Sequence, residues 1–171
     1  RTMPGPEHTQ SWLIADVGGT NSRCAMLRGP EFDVSLIRHY RNDEHATLQE
    51  ILADYLLETD ASPTNCALAI AAPVDGEIVS MSNRDWRFNV NEVSQRIGVE
   101  TTEVINDFHA VGYSLPLIDN DRRVEIGRAT KYRKGSMAVL GPGSGLGMSA
   151  WIESGRNGVA VSGEPAEVDF A

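Results

Sequence analysis

Three short stretches hold the residue types most suited to chemistry. The first is Asp16-Val17-Gly18-Gly19-Thr20-Asn21, set between an apolar run from Trp12 and a strand-like run over 23–27. Gly-Gly between two strand signals reads as a tight β-hairpin turn. Glycine lets the backbone reach positive φ and come close to a ligand. Successive N–H groups in such a turn can form an anion-binding nest, and Thr20 and Asn21 add side-chain donors. Asp16 is the odd member, because a carboxylate repels a phosphate. A bridging Mg²⁺ removes that conflict, since Mg²⁺ takes one or two carboxylates together with phosphate oxygens. The same residues also spell a plain hairpin with a solvated aspartate.

The second stretch is Asn106-Asp107, delivered at the end of a predicted strand over 102–105. In open α/β sheets ligands bind beyond the carboxyl ends of strands, so Asp107 sits where a reactive group is expected. Aspartate is also a good helix N-cap, and the two roles are compatible. The third stretch is Gly141-Pro142-Gly143-Ser144-Gly145-Leu146-Gly147. It is no dinucleotide fingerprint, because the third glycine would fall on Leu146 or Met148 and no long helix follows. Nor is it a Walker loop: Lys131 and Lys134 are the only lysines, and neither ends such a pattern. What remains is two glycine hairpins with an aspartate on a strand end between them. Such hairpins could grip one polyphosphate from opposite sides, and phosphoryl transfer depends mainly on positioning and charge stabilisation.

The elements that must position these residues follow an α/β order. A third strand is predicted over 32–41. Thr47-Leu48-Gln49-Glu50 is a capping box that opens a helix to about 59, with Leu48, Ile51, Leu52, Tyr55 and Leu56 at helical spacing. The small apolar run 66–72 suits a strand covered on both faces. Pro73-Val74-Asp75-Gly76 is turn chemistry, and 78–83 continues extended. Asn89 caps a short helix that Gly98 ends. A helix over 108–115 is stopped by Pro116. Residues 119–134 are polar and basic and read as a solvated connection with an edge strand. Strands follow over 137–140, 148–153 and 158–162.

The chain has 171 residues, 41% hydrophobic and 23% charged, the composition of a globular protein. A formal net charge of −9 argues against nucleic acid or an anionic membrane as partner. The longest apolar run, 67–74, is too short to span a bilayer. Residues 1–10 have no signal-peptide h-region and read as a disordered tail. Cys24 and Cys66 fall in predicted strands as buried, reduced thiols, which fits a cytoplasmic protein. Cysteines and histidines show no metal-ligand spacing.

Taken in order, the motifs resemble the bacterial glucokinase family of the sugar kinase–actin–heat-shock ATPase superfamily. Leu13-Ile14-Ala15-Asp16-Val17-Gly18-Gly19-Thr20-Asn21 is similar to that family's first phosphate segment, and the stretch 140–147 to its second. The stretch 69–74, with Ser82-Asn83 and Trp86, is similar to its sugar-side segment. Val104-Ile105-Asn106-Asp107-Phe108 is similar to its catalytic segment. Gly163-Glu164 and Val168-Asp169-Phe170-Ala171 match the two ends of a sugar-binding segment.

The resemblance implies a ribonuclease H-like, actin/hexokinase-type α/β fold. A complete small lobe would span 11–110, and 111–171 would begin the large lobe. It implies ATP and Mg²⁺ as cofactors and phosphorylation of the 6-hydroxyl of glucose or a similar hexose. Asp107 would be the general base. Asn106 and Glu164 would hold sugar hydroxyls, with Asn83 and Glu167 as further sugar-site candidates. Gly18, Gly19, Thr20 and Asn21, with Gly143, Ser144 and Gly145, would hold phosphate oxygens, and Asp16 would act through Mg²⁺. A homodimer is admitted rather than required.

Two departures stand out. Pro165-Ala166-Glu167 replaces the family's usual Gly-Gly-His, and an ionised glutamate can only accept hydrogen bonds. Family chains also run on through adenine-pocket segments, so a fragment or a shortened relative is expected. A non-catalytic sugar-binding module and another phosphotransferase or ATPase of the superfamily are the competing readings.

Overall fold

Alternation along the first strands decides which face becomes core. The computed structural model describes residues 10–29, 31–81, 84–127, 135–142, 146–154 and 157–163. The chain forms two units, Arg1–Asp107 and Phe108–Ala171. In β1 (Ser11–Val17), Leu13, Ala15 and Val17 are buried while Asp16 faces solvent on the other side. β2 (Asn21–Arg28) folds back antiparallel, with Leu13 opposite Met26 and Ala15 opposite Cys24. β3 (Asp33–Arg41) continues the meander on the outer side of β2.

The capping box then starts α1 (Leu48–Thr59): the Thr47 hydroxyl accepts the Glu50 N–H at 3.2 Å. The Glu50 carboxylate reaches back to the N–H of Ala46, one residue before the cap, at 2.7 Å. Helical spacing places Leu48, Ile51, Leu52 and Tyr55 in the core. β4 (Asn65–Ile70) enters parallel to β1. Short strands β5 (Ile78–Ser80) and β6 (Arg87–Asn89) pair with each other. Asn89 then caps α2 (Val90–Ile97) through the N–H groups of Asn91 and Glu92, and Gly98 closes it at φ 72°. β7 (Thr101–Asn106) lies parallel to β4, giving the order β3-β2-β1-β4-β7. This mixed sheet, with its helices and crossovers, is the expected α/β architecture.

Several local expectations need adjusting. The strand expected over 66–72 ends at Ile70: the Ala71 N–H still donates to the Val17 carbonyl across the ladder, but the Ala72 N–H turns back to Ile70. Of the extended run expected over 78–83, residues 78–80 form a three-residue strand and 82–83 lie outside the described residues; its partner β6 is too short to carry an alternation signal. The helix expected to stop at Pro116 ends one residue earlier than expected: α3 (Asp107–Ser114) gives way to a 3₁₀ turn, Leu115–Leu117, that holds the proline. Residues 119–127 carry one 3₁₀ turn, Asn120–Arg122, and no strand. The rest of that basic stretch lies outside the described residues.

In the second unit β8 (Met137–Pro142), β9 (Leu146–Ser154) and β10 (Asn157–Gly163) form an antiparallel sheet in the order β10-β9-β8. Gly141 and Gly147 face each other across β8 and β9. A methyl group on either would overlap the Phe108 ring of α3, so the paired glycines form the trough in which that ring lies. Gly112 likewise brings α3 against Ser149 and Ala160, and Tyr113 meets Trp151 edge-on at 6.0 Å. The alternate residues of the sheet, Leu140, Met148, Ile152, Val159 and Val161, are exposed. One face of this sheet is therefore packed on α3 and the other is apolar and open.

Candidate active site

Parallel pairing gathers the two chemical stretches of the first unit and the loop after β4. Val17 aligns with Ile70, and Ile70 with Asn106, across β1, β4 and β7. The residues that follow, Gly18, Ala71 and Asp107, therefore leave the same end of the sheet, the carboxyl end where α/β ligands bind. The Asn106 side-chain amide donates to the Ala72 carbonyl at 3.3 Å, tying β7 to the loop after β4. Asp107 is partly buried and is the first residue of α3. Asp107 therefore lies inside the first turn rather than at the N-cap position, which falls on Asn106, and a carboxylate in that turn is favoured by the helix's exposed N–H groups.

Asp16 lies one residue before the strand end, with its side chain 57% exposed and Arg23 beside it at 3.5 Å. So open an ion pair contributes little stability. Among the described residues no three of His, Cys, Asp and Glu cluster as a metal cage. Asp16 is a single accessible carboxylate next to the glycine turn. That donor set suits Mg²⁺, which is commonly held by one or two carboxylates plus phosphate oxygens and water.

The hairpin after β1 forms as expected, closed by the Gly18 N–H donating to the Asn21 carbonyl at 3.0 Å. Its first glycine serves close approach rather than left-handed backbone. Gly18 is not among the glycines with positive φ, which are Gly29, Gly76, Gly98 and Gly127 among the described residues. A Cβ there would sit 3.3 Å from the Asn21 carbonyl oxygen.

Two residues that sequence reasoning missed hold this turn. Asn42 is fully buried just after β3. Its amide donates to the Gly18 carbonyl at 2.7 Å, its backbone N–H to Thr20 at 2.9 Å, and its Oδ1 accepts the Ser22 hydroxyl at 2.7 Å. Arg84 donates to the Gly19 carbonyl at 3.3 Å and to the Asn42 carbonyl at 2.7 Å, and its guanidinium lies 4.6 Å over the Trp86 ring. In Arg41-Asn42-Asp43-Glu44 an asparagine reads as solvated loop. Only the following capping box, which ends the loop at Thr47, hinted that the segment is short and anchored.

Asn83, Gly143, Ser144, Gly145, Glu164 and Glu167 lie outside the described residues. Gly141 and Gly147, which flank the second glycine turn, are set by the Phe108 trough. Cys24 and Cys66 are buried and free, and burial pushes both thiols up to about 12.

A β-hairpin opening a mixed sheet, with parallel strands delivering Asn106-Asp107 and a second glycine hairpin further on, is the arrangement of the actin/hexokinase-type fold. Its solved counterparts include the crystal structure of a glucokinase from an Antarctic psychrotroph (TM-score 0.80, 28% identity), of which 52% is covered by 95% of this chain. A glucokinase from Balamuthia mandrillaris, solved in complex with glucose, shares the fold at TM-score 0.67 and 18% identity. The chain belongs to the glucokinase family, whose model matches residues 13–171. It is 35% identical over 159 residues to a glucokinase of Photorhabdus laumondii, with 93% of this chain aligned to 50% of that protein. It is 38% identical over 160 residues to a bifunctional protein glk of Burkholderia lata, 25% of which is covered. The chain spans about half the length of the curated glucokinases it matches.

Proposed function

We propose that this chain is the phosphate- and hydroxyl-activating part of an ATP-dependent hexose kinase that phosphorylates the 6-hydroxyl of glucose. The observation that carries the reading is the convergence of the Gly18–Asn21 turn, Asn106 and Asp107 at one end of β1, β4 and β7, in a chain of the glucokinase family. In this reading Asp107 accepts the proton of the attacking hydroxyl. Little covalent work is asked of it, because the loose transition state releases that proton late. Asn106, Asn83, Glu164 and Glu167 orient the sugar. Side chains that hydrogen-bond sugar hydroxyls discriminate strongly against sugars that lack the matching hydroxyl. N–H groups of Gly18, Gly19, Thr20 and Asn21, and of Gly143, Ser144 and Gly145, take phosphate oxygens. Asp16 would act through Mg²⁺, which when bound would neutralise charge on the transferring phosphoryl group.

Cytoplasmic location fits the reduced thiols, and among the described residues no helix is long and apolar enough to cross a membrane. The test is a coupled ADP-release assay on the full-length protein with a panel of hexoses. Glucose-dependent ADP release supports the reading. Glucose binding without turnover points to a sugar-binding module, and sugar-independent turnover to an ATPase of the same fold.

A further inference from the structure

The carbonyls of three successive residues in the first glycine turn are all held. Gly18 and Thr20 are held by Asn42, and Gly19 by Arg84. A trans peptide is planar, with each C=O opposite in direction to the N–H of the next residue. Fixing those three carbonyls therefore fixes the N–H groups of Gly19, Thr20 and Asn21, each directed away from its held oxygen. Arg84 is the keystone, because one guanidinium spans the Gly19 carbonyl and the carbonyl of the buried Asn42. Its own direction is set by the Trp86 ring beneath it. These are charge-assisted bonds from a planar fork that a lysine cannot reproduce in both arms.

We propose that Arg84 is a positioning residue for nucleotide phosphate. Acting through the Gly19 carbonyl and Asn42, it orients the 19–21 N–H groups as a preformed anion nest for the phosphates of ATP. The proposal rests on the kinase reading above and adds to it the residue that presets the nest. Arg84 donates to protein carbonyls and acts through them. Its effect belongs to phosphate binding and not to sugar binding.

The test compares wild-type full-length protein with Arg84→Met, which keeps an apolar stem over Trp86, and with Arg84→Lys. Titrations of Mg·ATP and of glucose are run separately, alongside steady-state kinetics and amide hydrogen exchange of the segment 18–22. For Arg84→Met the expected result is a fall of about tenfold or more in kcat/KM for ATP, the worth of a charge-assisted hydrogen bond. Glucose affinity should stay within about twofold of wild type, and exchange should be faster in 18–22 only. Arg84→Lys should lie between the two.

Unchanged ATP binding and kinetics in Arg84→Met overturn the proposal, even if exchange quickens. So does a parallel loss of ATP affinity, glucose affinity and melting temperature, which marks a merely structural arginine. Should wild type bind ATP yet fail to phosphorylate any hexose, the kinase reading falls by itself. The positioning proposal is then decided by ATP titration and exchange. Should wild type bind no ATP, both fall.

Discussion

Asp107 and the two cysteines show how much a single side chain's setting decides. Asp107 begins α3 at the end of the parallel strands, so Asp107→Asn keeps the side-chain shape while removing the carboxylate proposed as the base. In the full-length protein kcat should fall by about 10²-fold or more with glucose affinity nearly unchanged. Near-normal turnover would reduce Asp107 to a first-turn helix residue. Cys24 and Cys66 are buried, and burial, with the nearby Glu58 charge adding for Cys24, raises their thiols from 9.0 to about 12. The folded state therefore keeps protons that the unfolded chain releases. The thiol contribution is fully present below the unfolded value and is lost as pH rises toward the folded one. Denaturation midpoints measured from about pH 8 to about pH 10.5 should fall, and a variant with both cysteines changed to alanine should show a shallower fall. Maleimide should label neither thiol until the protein is unfolded, and rapid labelling of the native protein would contradict the burial.

Among the elements, α3 and the sheet it covers have the tightest tolerance. The Phe108 ring occupies the trough left by Gly141 and Gly147, so Gly147→Ala overpacks the contact. A loss of about 1–3 kcal/mol is expected from thermal or chemical melts. Adding Phe108→Leu should recover part of it, since residues in contact couple non-additively. Full additivity would show that the ring does not sit in the trough. At the N-terminus of α1, Thr47→Ala removes the hydroxyl that accepts the Glu50 N–H and should cost about 1 kcal/mol.

For the whole molecule, the deciding feature is the open face of the second sheet. Leu140, Met148, Ile152, Val159 and Val161 are all exposed there, and contiguous exposed apolar surface of this kind drives association. Expressed by itself, the 171-residue chain should self-associate with rising concentration in sedimentation velocity. Replacing Ile152 and Val161 with lysine should shift it toward monomer. A monodisperse monomer at every concentration tested would mean that the face is harmless.

Much of this was legible in the sequence because its causes are local. An apolar run marks β1, helical spacing marks α1, and cap chemistry at Thr47 and Asn89 sets two helix starts. Gly-Gly between strands marks the turn after Val17. The placement of Asp107 after a strand followed from element order alone. What only tertiary structure decided involves partners far apart in the chain. Whether Asn42 is solvated or fully buried depends on a turn more than twenty residues earlier, and the reach of Arg84 to Gly19 spans 65 residues. The use of Gly141 and Gly147 as a seat for Phe108 depends on which helix lands on that sheet. Residue type specifies what a side chain can donate, accept or bury, but packing chooses which of those capacities is used. That is why the turn at 18–21 and the strand end at 106–107 could be read from the sequence, whereas the Asn42 and Arg84 hydrogen bonds that hold the turn could not.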